Sequence, residues 1–560
     1  MGTLRDVIVK KTGGDMAIAT VPADPDIGEQ YGPESRELVQ RVAANEIVFA
    51  VVGHVGSGTS EVADALKSLL EGTSLVGGPF DATILKAREG ISEWARQTGR
   101  SVPDPNRIDL ESVTQMQNLG DEMRLSTGDN AAVARSLIRA VRSTRAKKLG
   151  KDASKEGPIL PDGNRRAYIL DSLRHPAEVE LLRRIYQDSF VLIGVVCEET
   201  VRERRVSEKY QDAGLKDAQE FMIRDSRAPE KHGQRVSDTF HLSDFFVDNT
   251  ANRFLDLHRR PNPAWTVTDE LARLVEIITH ARIVRPTPDE MGMYHAYGAQ
   301  MRSACLSRQV GASLVDEAGN VIATGTNEVP RAGGGLYGEG FDPTALDHRC
   351  AFRGTAFCSN TKEQNSIIQE LIDSVPELSV GKNPEQLSEL KRRLRSTRIG
   401  GLIEFSRAVH AEMDALLSAA REGISTVGAR LYCTTFPCHY CARHLVAAGI
   451  AEVQFIEPYL KSQALALHDD AITMNPVGWL TPREAERRNQ DANQKVERKV
   501  LFRPFTGVAP RLYRQAFLKD RDLKNDVDGR MEYGQPAWGS AWQLRAVSYV
   551  ELEARLAKMG

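Results

Sequence analysis

The sequence predicts an α/β protein built from two sheets that are rich in parallel strands and covered by helices on both faces. Short, continuously apolar runs such as 46–53 (EIVFAVVG) and 190–197 (FVLIGVVC) alternate with amphipathic, arginine-rich segments. This alternation is typical of parallel strands that are joined by helices. A second rhythm of the same kind follows residue 285, and 560 residues exceed what one hydrophobic core usually organises.

Composition shifts along the chain predict its organisation. Polar residues with scattered Gly and Pro predict a poorly ordered lead-in, and Pro-rich stretches around 258–269 and 285–290 predict a linker before a second unit. The boundaries that we predict are a lead-in over 1–44, a first unit over 45–260, a linker over 261–285, a second unit over 286–520 with an insert near 330–400, and a C-terminal extension over 521–560.

Charge and cysteine usage narrow the class of protein. The formal net charge of −3 excludes the strongly basic kind of nucleic-acid binder. No apolar run is long enough to cross a bilayer and the N-terminus lacks an apolar signal core, so the sequence predicts a cytoplasmic protein without a membrane partner. Seven cysteines in this length do not form a disulfide framework, and reduced thiols are therefore available as metal ligands.

A glycine-rich loop, GHVGSGTS (53–60), lies between a predicted strand and a predicted helix. This is the setting of a P-loop, whose backbone N–H groups hold phosphate oxygens, and it predicts a P-loop NTPase-like, nucleotide-kinase-like first unit. Ser60 matches the position whose hydroxyl contacts Mg²⁺. Asp171 ends a later strand, as the Walker-B-type acid of a P-loop protein does. Thr59 stands where the pattern has lysine, which favours binding of Mg²⁺ with ATP or another NTP over rapid phosphoryl transfer. The candidate nucleotide-binding residues are Gly53, Gly56, Ser57, Gly58, Thr59, Ser60 and Asp171. A purely structural glycine turn is the alternative.

Two short motifs in the second unit predict a zinc site. His410 and Glu412 form H-x-E, and Cys438 and Cys441 form P-C-x-x-C after Pro437. One imidazole and two thiolates suit Zn²⁺ and leave its fourth position for water, which is typical of catalytic rather than structural zinc. Glu412 then serves as general acid and base and does not bind the metal. The alternative is a helix-capping histidine near two buried thiols.

The insert offers a second, incomplete set of metal ligands. The segment DHRCAFRGTAFC contains His348, Cys350 and Cys358. A structural zinc needs four ligands, and only three candidates are visible. Buried or surface thiols are the alternative.

Several motifs between residues 290 and 470 resemble the deoxycytidylate deaminase branch of the cytidine deaminase superfamily. They are RSACLSRQVGASLV, GTNEVP, HAEMDAL and CTTFPCHYCARHLVAAGI. The resemblance implies a cytidine-deaminase-like α/β/α sandwich around a mixed five-stranded sheet, and a deoxycytidine nucleotide substrate. It implies that Asn327 contacts the sugar, and that Arg302, Tyr459 and Lys461 surround the phosphate. It also implies a homo-oligomer.

The combination of a P-loop unit with such a deaminase unit resembles the AvcD-like bacterial anti-phage deaminases. That resemblance implies deamination of dCTP and dCMP to dUTP and dUMP, which depletes the pool a phage needs, and an inhibitory small RNA as partner. Three alternatives stay open on the residues alone. They are a single-stranded DNA or RNA cytosine deaminase, an idle nucleotide-binding switch, and a kinase acting through the first unit.

Overall fold

The structure is a computed structural model of the 560-residue chain. It describes residues 44–72, 78–107, 109–154, 157–210, 214–228, 230–256, 258–340, 346–459, 462–491, 496–518, 523–531 and 549–557. The predicted lead-in, apart from Ala44, lies outside these ranges, as do Lys461 and a large part of the predicted extension over 521–560. No helix of the described ranges has the length and apolar character that spanning a membrane requires.

The first sheet contains six strands. They are β1 Glu46–Val52, β2 Asp81–Lys86, β3 Arg166–Asp171, β4 Phe190–Val196, β5 Phe245–Asp248 and β12 Gly507–Val508. Their order is β12-β5-β4-β1-β3-β2, and all neighbours are parallel except the antiparallel pair β12–β5. Every residue of β1, β3 and β4 is buried. The continuous apolar runs thus form the centre of a sheet that is covered on both faces.

Helices cover both faces of this sheet. They are α1 Thr59–Leu70, α2 Ala87–Gln97, α3 Leu110–Thr127, α4 Ala132–Lys148, α5 Pro176–Tyr186, α6 Glu199–Lys209, α7 Leu215–Ser226, α8 Val236–Phe240 and α9 Val267–Ile278. Two separate clusters of buried apolar side chains lie on the opposite faces of β1. Val48 and Ala50 belong to one cluster, and Ile47 and Phe49 to the other.

Helix α9 lies inside the segment 261–285, for which the sequence predicts a linker. Its Val267, Leu271, Leu274 and Ile278 are buried in the same apolar cluster as α1. Their spacing of three to four residues places these side chains on one face of the helix. The Pro-rich start of the segment hid this periodicity, and the segment is a covering helix of the first sheet.

The second sheet also contains six strands. They are β6 Gly311–Val315, β7 Val321–Thr326, β8 Arg430–Thr435, β9 Glu452–Glu457, β10 Ile472–Thr473 and β11 Val500–Pro504. Their order is β10-β11-β9-β8-β6-β7. Strand β6 is antiparallel to both of its neighbours, β7 and β8, and the strands β8, β9, β11 and β10 are parallel to one another. The sheet is mixed, as expected, but the two-residue strand β10 makes six strands rather than five.

Further helices follow α9 along the chain. Most of them surround the second sheet or extend from it, and the last two pack on the first unit. They are α10 Pro288–Gln300, α11 Ser359–Ser374, α12 Pro384–Arg395, α13 Ala411–Arg421, α14 His439–Ala447, α15 Ala464–Leu467, α16 Pro482–Asp491, α17 Tyr513–Phe517 and α18 Tyr549–Ala557. Glycines let α10 and α13 lie close to the strands. A Cβ at Gly311 would lie 1.9 Å from the Ala296 carbonyl oxygen, and one at Gly325 would lie 2.0 Å from the Ala411 carbonyl oxygen.

The two units share the C-terminal part of the chain. Strand β11 belongs to the second sheet, whereas β12, which follows after a short turn, extends the edge of the first sheet. Phe505 in that turn packs against Phe246 of β5, with ring centroids 6.2 Å apart. Helix α18 then packs on α4, where the fully buried Glu553 pairs with the fully buried Arg145. The predicted extension thus contributes a covering helix to the first unit.

Candidate active site

The two predicted halves of the metal site meet at one end of the second sheet. His410 is the N-cap of α13, Cys438 is the N-cap of α14, and Cys441 lies in the first turn of α14. His410 Nδ1 lies 3.2 Å from Cys438 Sγ and 3.5 Å from Cys441 Sγ. Among the described residues this is the only group of three or more possible metal ligands of this kind. One imidazole nitrogen and two sulfurs are a donor set that fits Zn²⁺.

The environment of Cys438 favours its thiolate form. Hydrogen bonds from the Cys441 thiol and from His410 lower the pKa of Cys438 to about 4. The partial positive charge at the N-terminus of α14 acts in the same direction. The site therefore offers an ionised sulfur, which is the form that binds a metal ion.

Glu412 lies next to the donor cluster in the first turn of α13. It is 4% exposed. Burial raises the pKa of its carboxyl to about 7, although the nearby His410 opposes the shift. A carboxyl group with a pKa near neutrality can both accept and donate a proton at physiological pH. Gly325 of β7 lets this turn pack closely on the strand, because a Cβ at this position would lie 2.0 Å from the Ala411 carbonyl oxygen.

A cavity of about 390 Å³ opens above the donor cluster. His410, Glu412 and Cys438 line its base together with Phe436 and Tyr459. The insert supplies another wall, which consists of Asn360, Thr361, Gln364, Arg395 and residues of the 400–406 loop. The size and the mixed polar and aromatic lining suit a small molecule rather than a long polymer.

The structure brings some of the predicted substrate-binding residues to this cavity. Asn327 and Tyr459 line it, and the Asn327 side-chain amide donates a hydrogen bond to the Arg308 carbonyl at 2.7 Å. Arg302 lies in the turn that follows α10, where it is exposed, and it does not line the cavity. Lys461 lies outside the described residues.

Two other arginines line the cavity and were missed by sequence reasoning. Arg308 pairs with Glu457 at 3.1 Å, and its guanidinium lies 5.7 Å from the centre of the Tyr459 ring. Its place within the motif RSACLSRQVGASLV, just before β6, was a usable signal. Arg395 lies in the basic segment KRRLRSTR, which carries no local signal for a cavity residue. Only the folding of the insert brings it there.

The second candidate ligand set is not assembled. His348, Cys350 and Cys358 do not form a metal-ligand group in the structure. The sulfur of Cys350 contacts Arg407 Nη1 at 3.8 Å, and the sulfur of Cys358 contacts Ser307 Oγ at 3.2 Å. Separate polar contacts therefore account for the two thiols.

The predicted P-loop joins the central strand β1 to α1. Gly56 and Gly58 have φ values of +83° and +81°, a conformation that favours glycine. The Ser60 hydroxyl donates a hydrogen bond to Asp171 Oδ2 at 2.7 Å, so these two candidates meet at the ends of neighbouring elements. The Asn249 side-chain amide donates to the Ser57 carbonyl at 2.8 Å and fixes the loop from the end of β5.

A second cavity, of about 540 Å³, lies at this loop. Gly56, Gly58, Thr59, Ser60 and Asp171 line it. Its remaining lining includes the basic residues Lys86, Arg88, Arg174, Arg205 and Lys209. It lies outside the carboxyl ends of parallel strands, where ligands of open α/β sheets bind.

Comparisons with known proteins agree on the second unit. The model of the cytidine and deoxycytidylate deaminase zinc-binding region matches residues 286–457. The deoxycytidylate deaminase of Enterobacteria phage T2 is 31% identical over 169 residues, covering 30% of this chain and 79% of the phage protein. The deoxycytidylate deaminase of Saccharomyces cerevisiae is 28% identical over 181 residues, covering 32% of this chain and 40% of the yeast protein.

A solved structure is also similar to part of the chain. The crystal structure of dCMP deaminase from the cyanophage S-TIM5 in apo form has 21% sequence identity and a TM-score of 0.19, covering 33% of this chain and 94% of that chain. The identity to the T2 protein over most of its length, together with the zinc-binding-region match, identifies the second unit. The chain belongs to the cytidine and deoxycytidylate deaminase family.

Proposed function

We propose that the protein hydrolytically deaminates deoxycytidine nucleotides, converting dCMP or dCTP and water to dUMP or dUTP and ammonia. The observation that carries this proposal is the buried Glu412 beside the cluster of His410, Cys438 and Cys441 at the base of a nucleotide-sized cavity. The named activity of the T2 and yeast relatives supports the choice of substrate.

The donor set assigns distinct tasks to the metal and to the protein. Zinc held by His410, Cys438 and Cys441 would lower the pKa of a water molecule and so supply the nucleophile for C4 of the cytosine ring. Glu412 accepts one proton from this water and donates it to N3 of the ring. It then takes the second proton of the water from the new hydroxyl at C4 and delivers it to the departing amino group, which leaves as ammonia while C4 becomes a carbonyl. Its pKa of about 7 suits both transfers.

The cavity wall holds the base and limits its exchange with solvent. Phe436, which is 8% exposed, and the half-buried Tyr459 provide aromatic surface beside the donor cluster. Asn327, also in the wall, offers an amide group for a sugar hydroxyl. These side chains orient the ring while Glu412 moves the protons.

Ammonia release from a panel of cytosine compounds tests this activity. The panel comprises dCMP, dCTP, deoxycytidine and a single-stranded deoxycytidine oligonucleotide. We expect turnover of the nucleotides, at least a ~100-fold loss in Glu412→Gln with its zinc content unchanged, and wild-type rates in the control Glu422→Gln on the exposed end of the same helix. Undiminished turnover in Glu412→Gln contradicts the mechanism, and preference for the oligonucleotide favours a polynucleotide deaminase.

For the first unit, we propose that the P-loop binds Mg²⁺ with ATP or another NTP and regulates the deaminase. The hydrogen bond between Ser60 and Asp171 supports a magnesium site, and the glycine conformations with the basic cavity support phosphate binding. Thr59, in place of lysine, favours binding over rapid phosphoryl transfer. Titration with a fluorescent ATP analogue, with and without Mg²⁺, tests this, and the absence of magnesium-dependent binding contradicts it.

The biological role that we propose is anti-phage defence by depletion of dCTP and dCMP. The AvcD-like resemblance supports this role and a small inhibitory RNA as partner, and the resemblance to the deaminase superfamily supports a homo-oligomer. We also propose a cytoplasmic location. Phage plating on bacteria that express the wild-type or the Glu412→Ala protein tests the role, with dCTP measured in the same cultures. Equal protection by both proteins contradicts it.

A further inference from the structure

The insert forms one packed wall of the candidate active-site cavity. Asn360 and Gln364 of α11 both donate hydrogen bonds to the Leu402 carbonyl, each at 2.7 Å. Gly400 packs against the end of α12, since a Cβ there would lie 1.9 Å from the Arg395 carbonyl oxygen. These contacts join α11, α12 and the following loop, and they place Arg395 at the cavity.

The charge of the cavity favours an anion. Of the described residues that line it, Arg308 and Arg395 are the guanidinium groups and Glu412 is the only carboxylate. Glu457 already pairs with Arg308 at 3.1 Å. Arg395 instead donates a hydrogen bond from Nη1 to the neutral side-chain oxygen of Asn365 at 2.8 Å, and it makes no ion pair within the described ranges. One positive charge at the cavity is therefore left without a carboxylate partner.

The two arginines belong to different parts of the site. Arg308 lies on the sheet side, where its carbonyl accepts the Asn327 amide and its guanidinium faces the Tyr459 ring. It thus adjoins the residues that we assign to the nucleoside. Arg395 lies on the insert, among neutral polar groups such as Asn360 and Thr361. A ligand that forms ion pairs with both guanidinium groups carries negative charge that extends from its nucleoside end toward the insert.

We propose that Arg395 contacts the β- and γ-phosphates of dCTP, so that the insert selects the deoxycytidine triphosphate over the monophosphate. The proposal rests on the deaminase function proposed above and names the preferred substrate of that site. Arg308 contacts the phosphate that both nucleotides share. A guanidinium suits this task, because it offers several N–H donors in a planar fork to phosphate oxygens.

Steady-state kinetics with dCTP and dCMP test this selection. Arg395→Gln is expected to lower kcat/KM for dCTP by about tenfold or more, because it removes one hydrogen bond to a charged group. It should leave kcat/KM for dCMP within about twofold of the wild-type value. Arg395→Lys keeps the charge and should recover part of the dCTP rate. Arg393→Gln, an exposed residue on the same helix that does not line the cavity, is the matched control and should resemble the wild type.

Equilibrium binding separates this proposal from the deamination itself. In a Glu412→Ala background, which removes turnover, adding Arg395→Gln should weaken dCTP binding about tenfold and reduce its dependence on salt, with dCMP unchanged. Equal losses for both nucleotides, no loss, or no dCTP binding at all overturns the selection by Arg395. Weakened dCTP binding without deamination of any cytosine nucleotide by the wild type supports the contact and overturns the proposed function instead.

Discussion

Replacing Gly292 with alanine tests how closely helix α10 packs on the second sheet. A Cβ at this position would lie 2.3 Å from a ring carbon of Tyr432, against an ordinary contact distance of at least 3.4 Å. Tyr432 is fully buried, and its hydroxyl donates a hydrogen bond to Asp289 at 2.5 Å, so the ring has no room to turn away. Overpacking of this severity costs about 3 kcal/mol, and the better helix propensity of alanine returns about 1 kcal/mol. We expect Gly292→Ala to lower the free energy of unfolding by about 2 kcal/mol.

Gly298 of the same helix is the matched control. It is exposed, and a Cβ there would meet nothing within 4 Å. Gly298→Ala should therefore raise the free energy of unfolding by roughly 0.5–1 kcal/mol through helix propensity alone. Urea unfolding followed by circular dichroism, with hydrogen exchange of α10 and β8, measures both variants. Equal changes in the two variants, or stabilisation by Gly292→Ala, would refute the close packing of this helix on Tyr432.

Three further outcomes follow from single contacts. Cys438→Ala should reduce the zinc content from about one ion per chain to well below half and abolish ammonia release, because a thiolate ligand is lost; elemental analysis with the ammonia assay checks this. Glu553→Gln weakens a fully buried ion pair with Arg145 and should lower the free energy of unfolding in urea by about 3 kcal/mol. The control Glu208→Gln, in an exposed ion pair, should change the free energy of unfolding by less than about 0.5 kcal/mol. Ser60→Ala should weaken magnesium-dependent nucleotide binding about tenfold in a fluorescence titration, and Ser68→Ala on the exposed side of the same helix should not; equal affinities would argue against a magnesium contact at Ser60.

The metal-ligand candidates could be predicted from sequence because their spacing is local. His410 and Glu412 lie at the start of one helix, and Cys438 and Cys441 at the start of another, so each half of the site forms a short sequence motif. The two halves meet because both helices start at the same end of the second sheet. The parallel pairing of β8 with β9 was likewise indicated by a strand, a helix and a strand in succession.

The cavity wall could not be predicted in the same way. Arg395 belongs to a basic run that is typical of a solvated helix face, and it reaches the cavity only because the insert folds, with Gly400 packed on its carbonyl and Asn365 hydrogen-bonded to its guanidinium. Arg302 and Arg308 belong to the same motif, and the sequence alone did not indicate which of them faces the cavity. The apolar face of α9 was hidden because prolines precede it.

The placement of β12 and α18 has a consequence for how the chain is made. The first sheet gains an edge strand and a covering helix from residues that a ribosome adds after the last long strand of the second sheet, β11. Residues 45–260 on their own lack both pieces, so a truncated gene product leaves β5 with a bare edge and Arg145 without Glu553. Completion of the first unit therefore requires residues as late in the chain as 553, and a cut between the two units removes β12 and α18 from the first one.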